Sequence, residues 1–283
     1  MKPGTRVLAC GERTLFLNTT KIMAVLNVTP DSFSDGGRFQ GAHGVDVDAV
    51  RRTAESMLAE GADLLDVGGE STRPGATAVS PDEELDRVMP VLESLLELDT
   101  IVSVDTSKAA VAREALAAGC HMINDVTGLA DGGMREVLAG SGAAVCIMHM
   151  LGEPRTMQDD PRYGDVVAEV HETLAERVNG AQAAGIGPER ICVDPGFGFG
   201  KTLAHNLALL RHLEAIRVAG LPLLVGVSRK RMIGELTGAP LADRLPGSLA
   251  AAVLAAERGA DIVRVHDVAA TAAALKMLEA VRV

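Results

Sequence analysis

Polar and charged residues recur at one kind of position in this sequence, directly after short apolar, β-branched runs. They are Asn27, Asp66, Asp105, Asn124 with Asp125, His149, Asp194, Lys230, and Arg264 with His266. Carboxylates accept hydrogen bonds and arginine binds anions, so together they would suit a ligand with N–H donors and negative charge. For each residue alone a helix cap or a turn is an equally good interpretation, since Asp and Asn favour both. Their recurrence after every run favours a ligand site.

The few aromatic residues indicate that the ligand is flat. The chain has no Trp, one Tyr and five Phe, and four of the Phe lie in predicted loops after a run rather than in the predicted core. These four are Phe33, Phe39, Phe197 and Phe199. Loop packing explains one or two of them, but four rings beside the strand ends are typical of a site that holds a planar ligand.

Cations also gather beyond the ends of the runs in this acidic chain. They are Arg73, Lys201, Arg229, Lys230, Arg231, Arg264 and His266. The donors of arginine suit phosphate, which barrel enzymes often bind after their last two strands. For Arg229 and Arg231 the alternative interpretation is that they are solvated surface residues without a ligand. The stretch Gly200-Lys201-Thr202 is not a P-loop, because Pro195 stands where that motif requires glycine.

Eight apolar runs, each followed by a helical pattern, must position these groups. The runs are 22–28, 64–67, 101–105, 122–125, 144–149, 191–194, 223–227 and 262–266. Strands that alternate with helices predict a parallel sheet, and eight such units make up a TIM (β/α)₈ barrel, with its chemistry at the carboxyl ends of the strands. A doubly wound open sheet remains the alternative. No linker divides the chain, so residues 1–283 are interpreted as one domain, with residues 1–20 as an extension at the bottom of the barrel.

Composition excludes several classes of function. Lys and Arg number 27 against 38 Asp and Glu, and the net charge of −11 is opposite to that of a nucleic-acid-binding protein. No stretch approaches the roughly 18 apolar residues of a membrane span, and no signal peptide is recognisable. The four cysteines form no C-x-x-C pair and lie in apolar runs, which predicts buried, reduced thiols and a cytoplasmic location.

Long motifs stand at the ends of the runs. They read LNVTPDSFSDGG at 26–37, DVGGESTRPG at 66–75, SVDT at 103–106, IND at 123–125, HM at 149–150, DPGFGFGK at 194–201, GVSRK at 226–230 and RVHD at 264–267. In this order they resemble the dihydropteroate synthases, a pterin-binding TIM-barrel family, over about residues 20 to 270. The motifs are long and specific, and they include both long loops that follow the first two strands.

The resemblance implies a transferase of folate biosynthesis, which condenses (7,8-dihydropterin-6-yl)methyl diphosphate with 4-aminobenzoate and releases pyrophosphate. It implies that the pterin diphosphate is bound by Thr72, Asp105, Asn124, Asp194, Lys230, Arg264 and His266. It implies that 4-aminobenzoate is bound by Phe33, Arg73, Pro74, Phe199 and Arg231. Asn27 is implied as a ligand of Mg²⁺, and Asp35, Lys230, Arg264 and His266 as catalytic residues. A homodimer and a sulfonamide target are implied as well, with neither nucleic acid nor a membrane as partner.

One position departs from the family pattern, and two other functions remain open. Some relatives carry Ser where this chain has Arg231, which either holds the 4-aminobenzoate carboxylate or points to solvent. A methyltetrahydrofolate-dependent methyltransferase would share Asp105, Asn124 and Asp194, but it would not need the long loops 27–37 and 69–75. A non-catalytic pterin-binding barrel is the other alternative, although the sequence has every residue that the synthase reaction requires.

Overall fold

The computed structural model describes residues 6–29, 39–41, 44–71 and 78–282. Its strands are β1 (Arg6–Cys10), β2 (Arg13–Leu17), β3 (Lys21–Asn27), β4 (Gln40–Gly41), β5 (Gly44–Val45), β6 (Leu64–Gly68), β7 (Ile101–Asp105), β8 (Met122–Asp125), β9 (Ala144–Met148), β10 (Ile191–Asp194), β11 (Leu224–Val225) and β12 (Ile262–Val265). Its helices are α1 (Val47–Ala59), α2 (Pro81–Leu96), α3 (Ala109–Ala117), α4 (Met134–Ala139), α5 (Val166–Ala183), α6 (Leu203–Arg211), α7 (Arg231–Thr237), α8 (Leu245–Glu257) and α9 (Val268–Val281).

Eight parallel strands form the predicted barrel. Their order in the sheet is β10, β9, β8, β7, β6, β3, β12 and β11, and each neighbouring pair is parallel. The two outer strands meet through a parallel bridge between Val193 and Leu223 and a hydrogen bond of 2.9 Å from Val193 N to Pro222 O. The barrel prediction is therefore confirmed and the open-sheet alternative is wrong. The seventh strand, predicted over 223–227, is shorter in the structure.

The alternation of side chains along each strand decides which residues reach the site. Successive residues of a strand point to opposite faces, so Val263 and Val265 pack outward with the helices, whereas Ile262 and Arg264 point into the barrel. Near the start of the strands the inward residues are apolar, and they form one layer: Met23, Leu64, Ile101, Met122, Ala144, Cys146, Cys192, Leu224 and Ile262. This layer closes the barrel interior below the polar strand ends.

The N-terminal hairpin covers the other end of the barrel. Strands β1 and β2 pair antiparallel, and Leu8, Cys10, Leu15 and Leu17 pack against the apolar layer. All four cysteines of the chain are buried and free, so the prediction of buried thiols is confirmed. Among the described residues, no helix is long and apolar enough to cross a bilayer.

We expect the hairpin to stabilise the barrel through its inward face. Leu8 is fully buried, so Leu8→Ala should lower the free energy of unfolding by about 2–5 kcal/mol. Phe16, on the outward face of the same hairpin, is 47% exposed, and Phe16→Ala should cost well under half as much. Urea denaturation of both variants measures the difference; equal losses would show that the hairpin does not plug the barrel.

Side-chain caps begin several of the outer helices and so end the loops that form the site. Asp46 accepts from Ala49 N at 2.9 Å before α1, and Ser80 accepts from Glu83 N at 3.2 Å before α2. Before α6, Thr202 and His205 form a reciprocal capping box. Each cap satisfies N–H groups that the first helical turn leaves without partners, which fixes where the preceding loop stops.

Candidate active site

The carboxyl ends of the barrel strands surround a cavity of about 690 Å³. Every described residue to which the family resemblance assigns a role lies on its wall: Asn27, Asp105, Asn124, Asp194, Phe199, Lys230, Arg231, Arg264 and His266. The other predicted residues, Phe33, Asp35, Thr72, Arg73 and Pro74, lie outside the described residues. Parallel strands place all their carboxyl ends on one rim, so residues distant in sequence meet there.

Three buried hydrogen-bond acceptors line the cavity. The register of β7 and β8 places Asp105 beside Asn124, and Asp194 ends β10. Gly196 N donates to Asp194 Oδ1 at 2.7 Å, which leaves Oδ2 for a ligand. Burial raises the pKa of Asp194 to about 6. Burial also raises the pKa of Asp105 to about 7, although the Arg264 charge opposes that rise. A ligand with N–H donors would favour the ionised form of both carboxylates.

Arg264 joins these acceptors to the cationic part of the wall. Its Nε donates to Asp66 Oδ2 at 2.6 Å, and its Nη2 donates to Asp105 Oδ2 at 2.8 Å. Burial alone would lower the pKa of Arg264, but Asp66 and Asp105 outweigh that effect and raise it. A guanidinium has five N–H donors, so these two bonds leave others for an anion in the cavity.

Ser228 sets the orientation of the His266 ring. Its hydroxyl oxygen accepts from His266 N at 3.3 Å and lies 3.0 Å from His266 Nδ1. Burial, followed by the charge of Arg264, lowers the pKa of His266 to about 3, so the ring is neutral. In the tautomer in which the Ser228 hydroxyl donates to Nδ1, the ring hydrogen lies on Nε2. A neutral Nε2–H is a donor that suits a phosphate oxygen.

Lys230 and Phe199 form a flat, positively charged part of the wall. Lys230 Nζ lies 4.3 Å from the centre of the Phe199 ring, a cation–π distance. Phe199 also packs in an apolar cluster with Val126, Met148 and Met157. A planar ligand can therefore lie on apolar side chains while its acceptor atoms face the lysine.

Arg229 shapes the loop that carries Lys230. Its Nε and Nη2 donate to the two carboxylate oxygens of Asp267 at 2.9 and 2.6 Å, and its backbone N donates to Ser248 Oγ at 2.9 Å. The φ of Arg229 is +55°, which is unfavourable for a residue with a side chain, so these contacts hold a strained turn. The solvated-surface interpretation of Arg229 is therefore wrong.

Arg231 lies at the rim of the cavity, at the start of α7. Its side chain is 77% exposed, and its Nε lies 2.6 Å from Glu235 Oε1 one turn later in the helix. An exposed pair of this kind contributes little to stability, so the guanidinium remains available to a ligand carboxylate. The role of Arg231 towards 4-aminobenzoate stays a prediction.

Lys201 holds the loop that carries Phe199. Its buried Nζ lies 2.8 Å from His149 Nδ1 and donates to Gly196 O at 3.0 Å and to Phe199 O at 2.9 Å. Burial lowers the pKa of Lys201 to about 7, and burial together with the lysine charge lowers the pKa of His149 to about 3. The neutral imidazole therefore accepts from the lysine. Gly196 has a φ of +70°, and a Cβ there would lie 1.9 Å from His149 O, so only glycine fits.

Asn27 has the position and chemistry of one ligand to Mg²⁺. It ends β3 on the cavity wall, opposite Asp105 across Gly68. A Cβ on Gly68 would lie 3.4 Å from Asn27 Oδ1 and 3.6 Å from Asp105 Cβ, so the glycine leaves space beside these oxygen donors. Mg²⁺ prefers oxygen ligands, keeps several waters and is commonly completed by phosphate oxygens. The residues present thus fit a magnesium ion that is shared with a phosphate ligand.

Some of the sequence interpretations need correction. Phe39 is not beside a ligand but is buried in the core, where its carbonyl accepts from Asp46 N at 2.7 Å. Phe197 is likewise a core residue, although it also touches the cavity wall. For Asp125 the turn interpretation is confirmed, because its carboxylate accepts from Thr127 N at 2.8 Å and from Leu129 N at 3.0 Å.

The sequence did not indicate what Ser228 and Lys201 do, or what Asp66 contacts. Ser228 and Lys201 stand inside the matched motifs, and motif membership was the signal that could have drawn attention to them. For Asp66 the only signal in the sequence was its position after an apolar run. The contacts of Ser228 with His266, of Lys201 with His149 and of Asp66 with Arg264 join residues at least 38 positions apart in the chain.

Comparison with known proteins agrees with this geometry. The family model described as pterin binding enzyme matches residues 23–266. The dihydropteroate synthase of Escherichia coli K12 is 50% identical over 267 residues, covering 94% of this chain and 93% of the relative. Two solved structures are each 48% identical and cover 98% of this chain. One is the Yersinia pestis dihydropteroate synthase with a sulfonamide drug complex (TM-score 0.93, 99% of that chain). The other is the Burkholderia cenocepacia dihydropteroate synthase complexed with 7,8-dihydropteroate (TM-score 0.89, 97% of that chain).

Proposed function

The chain belongs to the dihydropteroate synthase family of pterin-binding enzymes, and we propose how the residues of its cavity carry out the reaction of that family. The enzyme is a transferase of folate biosynthesis, which condenses (7,8-dihydropterin-6-yl)methyl diphosphate with 4-aminobenzoate to give 7,8-dihydropteroate and pyrophosphate. Membership of this family excludes the two alternative functions, a methyltetrahydrofolate-dependent methyltransferase and a non-catalytic pterin-binding barrel.

The observation that carries the proposed substrate placement is the presence of three acceptors on the cavity wall, at or near the ends of β7, β8 and β10. A pterin presents adjacent N–H donors along its guanidine-like edge, and Asp105, Asn124 and Asp194 offer the oxygens that such an edge needs. Lys230, beside Phe199, lies where it can donate to the oxygen and nitrogen acceptors on the rest of the ring. The pterin is thus held by matched donors and acceptors rather than by charge alone.

The diphosphate is proposed to lie against Arg264 and His266. Arg264 contributes a fixed positive charge, and His266 contributes the neutral Nε2–H that Ser228 orients. Bound through Asn27, Mg²⁺ would neutralise negative charge on the leaving pyrophosphate. The bond between the pterin methylene carbon and the phosphate oxygen breaks, the arylamine nitrogen forms the new bond, and that nitrogen loses a proton. Because these donors are held in place before the reaction, they stabilise the transition state at little reorganisation cost.

The 4-aminobenzoate is proposed to lie over Phe199, near the mouth of the cavity. The ring and its apolar neighbours Val126, Met148 and Met157 offer a flat surface to the arylamine. Arg231 at the rim can meet the carboxylate. By resemblance, Phe33, Arg73 and Pro74 complete this pocket, and Asp35 stabilises positive charge on the pterin methylene.

Incorporation of labelled 4-aminobenzoate into dihydropteroate tests the function and its metal. We expect activity with Mg²⁺ and loss of activity in chelator. Asn27→Ala should weaken the apparent affinity for Mg²⁺ by about 10- to 100-fold, because one oxygen ligand is lost. Asn18→Ala, an exposed change at the opposite end of the barrel, is the control and should change nothing. Full activity in chelator would contradict the proposed metal, whereas no activity under any condition would contradict the function.

Pterin binding should weaken as the pH falls. The pKa of Asp105 is raised to about 7 and that of Asp194 to about 6. Protonation turns one acceptor oxygen of each carboxyl group into a donor and removes the charge that strengthens the bonds from the pterin edge. Affinity should therefore fall by up to about tenfold per pH unit for each group below its pKa. Titration calorimetry near pH 6 in two buffers of different ionisation enthalpy should show proton release on binding. Proton uptake would contradict the proposed contacts.

We further propose that the enzyme works as a homodimer in the cytoplasm and that sulfonamides inhibit it. A sulfonamide presents an arylamine much like that of 4-aminobenzoate, and the Yersinia pestis relative is known with such a drug complex. Competition between a sulfonamide and 4-aminobenzoate in the incorporation assay tests the inhibition. Light scattering of the purified protein tests the dimer.

A further inference from the structure

Asp66 lies beneath the cavity rather than on its wall. The residue sits within β6, pointing into the barrel, and its side chain is fully buried. One of its oxygens, Oδ2, accepts from Arg264 Nε at 2.6 Å and from Asn124 Nδ2 at 3.1 Å. Its other oxygen, Oδ1, is buried without a hydrogen-bond partner among the described residues. Asp66 therefore links one residue of the pterin edge to one residue of the anion site through a single oxygen.

The contact with Asp66 decides which end of the Asn124 amide faces the ligand. An asparagine side chain has a donor end and an acceptor end of nearly equal size, so shape does not fix its orientation. A carboxylate accepts only, so the Asn124 NH₂ group must face Asp66. The Asn124 carbonyl oxygen is then left for the cavity, whose wall includes Asn124.

We propose that Asp66 is the positioning residue of the pterin edge: it fixes Asn124 as an acceptor while holding Arg264 on the same oxygen. The proposal rests on the pterin placement given above. If Asp66 were removed, the Asn124 amide could turn its NH₂ group to the N–H donors of the pterin, which would leave donors facing donors.

A simpler role for Asp66 is that of a counter-charge for Arg264, with no effect on Asn124. The two roles predict different results when positions 66 and 124 are changed together. A counter-charge acts on Arg264 alone, so changes at 66 and at 124 should have independent effects on pterin binding. A positioning residue acts through Asn124, so the effect of one change should depend on the other.

The test is a double-mutant cycle of Asp66→Asn, Asn124→Asp and the exchange of both, in which every substitution keeps the side-chain volume. Asp66→Asn retains an oxygen for both donors, so pterin affinity should fall by less than about tenfold. Asn124→Asp replaces the nitrogen that lies 3.1 Å from Asp66 Oδ2 with a carboxylate oxygen. Because two carboxylates at this distance repel each other, pterin affinity should fall by at least about tenfold. In the exchange variant the new amide at position 66 donates to the new carboxylate at position 124, which still offers an acceptor to the pterin. Because that NH₂ group takes the place of the oxygen that Arg264 Nε also uses, one hydrogen bond of Arg264 is lost, so the affinity should recover above that of Asn124→Asp without reaching that of Asp66→Asn.

The affinity is measured by calorimetric titration of 6-hydroxymethyl-7,8-dihydropterin into the full chain, with thermal melting of each variant to verify the fold. Recovery in the exchange variant supports the positioning role. Independent losses, so that the exchange variant binds more weakly than either single variant, would overturn it, as would unchanged affinity in Asn124→Asp. If the wild-type chain bound no pterin, the proposed pterin placement would be wrong. If the wild-type chain bound pterin but the effects of the two changes were independent, only the positioning role of Asp66 would be wrong.

Discussion

Asp194→Asn is expected to weaken pterin binding strongly while leaving the fold intact. Gly196 N donates to Asp194 Oδ1 at 2.7 Å, so the amide of the variant would keep its oxygen on that side. The NH₂ group would then replace Oδ2 and meet the N–H donors of the pterin. Mispaired buried donors cost about 1–3 kcal/mol or more, which corresponds to roughly 5- to 150-fold in the dissociation constant.

Calorimetry with a dihydropterin and steady-state kinetics measure this effect. We expect kcat/KM to fall at least as much as the affinity, because the reaction requires the bound pterin. Asp86→Asn, on the exposed side of α2, is the matched control and should bind normally. The pH dependence of binding should also become shallower in Asp194→Asn, since one titrating carboxylate is lost. Unchanged pterin affinity would show that Asp194 serves only the turn at Gly196.

The barrel was predictable because its signals are local. In Ile262-Val263-Arg264-Val265-His266, alternation alone separates the outward valines from the inward arginine, and the same pattern recurs in the other strands. Closure was not predictable, because it depends on a bridge between Val193 and Leu223 that has no counterpart in the sequence pattern. A sheet with the same strands could have remained open.

The sequence predicted which residues form the site but not the hydrogen bonds and ion pairs between them. Every described residue that the family resemblance assigned to the site lies on one cavity, because strand ends converge whatever their exact register. The contacts of Arg264 with Asp66 and Asp105 span 198 and 159 positions, and only the three-dimensional register brings them together. Phe39 was misjudged for a related reason: it follows a strand in sequence, yet the chain returns it to the core before α1.

Arg264→Met should destabilise the protein as well as inactivate it. The variant keeps most of the side-chain volume but removes the charge between two buried carboxylates, Asp66 and Asp105. Breaking a buried ion pair by removing one partner costs about 3–5 kcal/mol, because the remaining charge is left without compensation. Activity should also fall by at least about a hundredfold, since a positive charge at the proposed diphosphate site is lost.

The destabilisation should depend on pH in a direction that identifies its cause. The pKa of Asp105 is already raised to about 7, and loss of the arginine charge, which opposes that rise, should raise it further. A carboxyl group whose pKa is raised in the folded state contributes stability at low pH, and that contribution is lost as the pH rises through the folded pKa. The stability difference between wild type and Arg264→Met should therefore be small near about pH 5 and largest above about pH 8.

Urea denaturation across this pH range measures the difference, and Arg264→Lys separates charge from geometry. Lysine keeps a positive charge in the barrel but cannot reach both carboxylates as the guanidinium does. Arg264→Lys should therefore retain most of the stability at high pH while still losing much of the activity. A penalty in Arg264→Met that is equal at low and high pH would mean that packing, rather than the unpaired carboxylates, accounts for the loss, and would remove the electrostatic role assigned to Arg264.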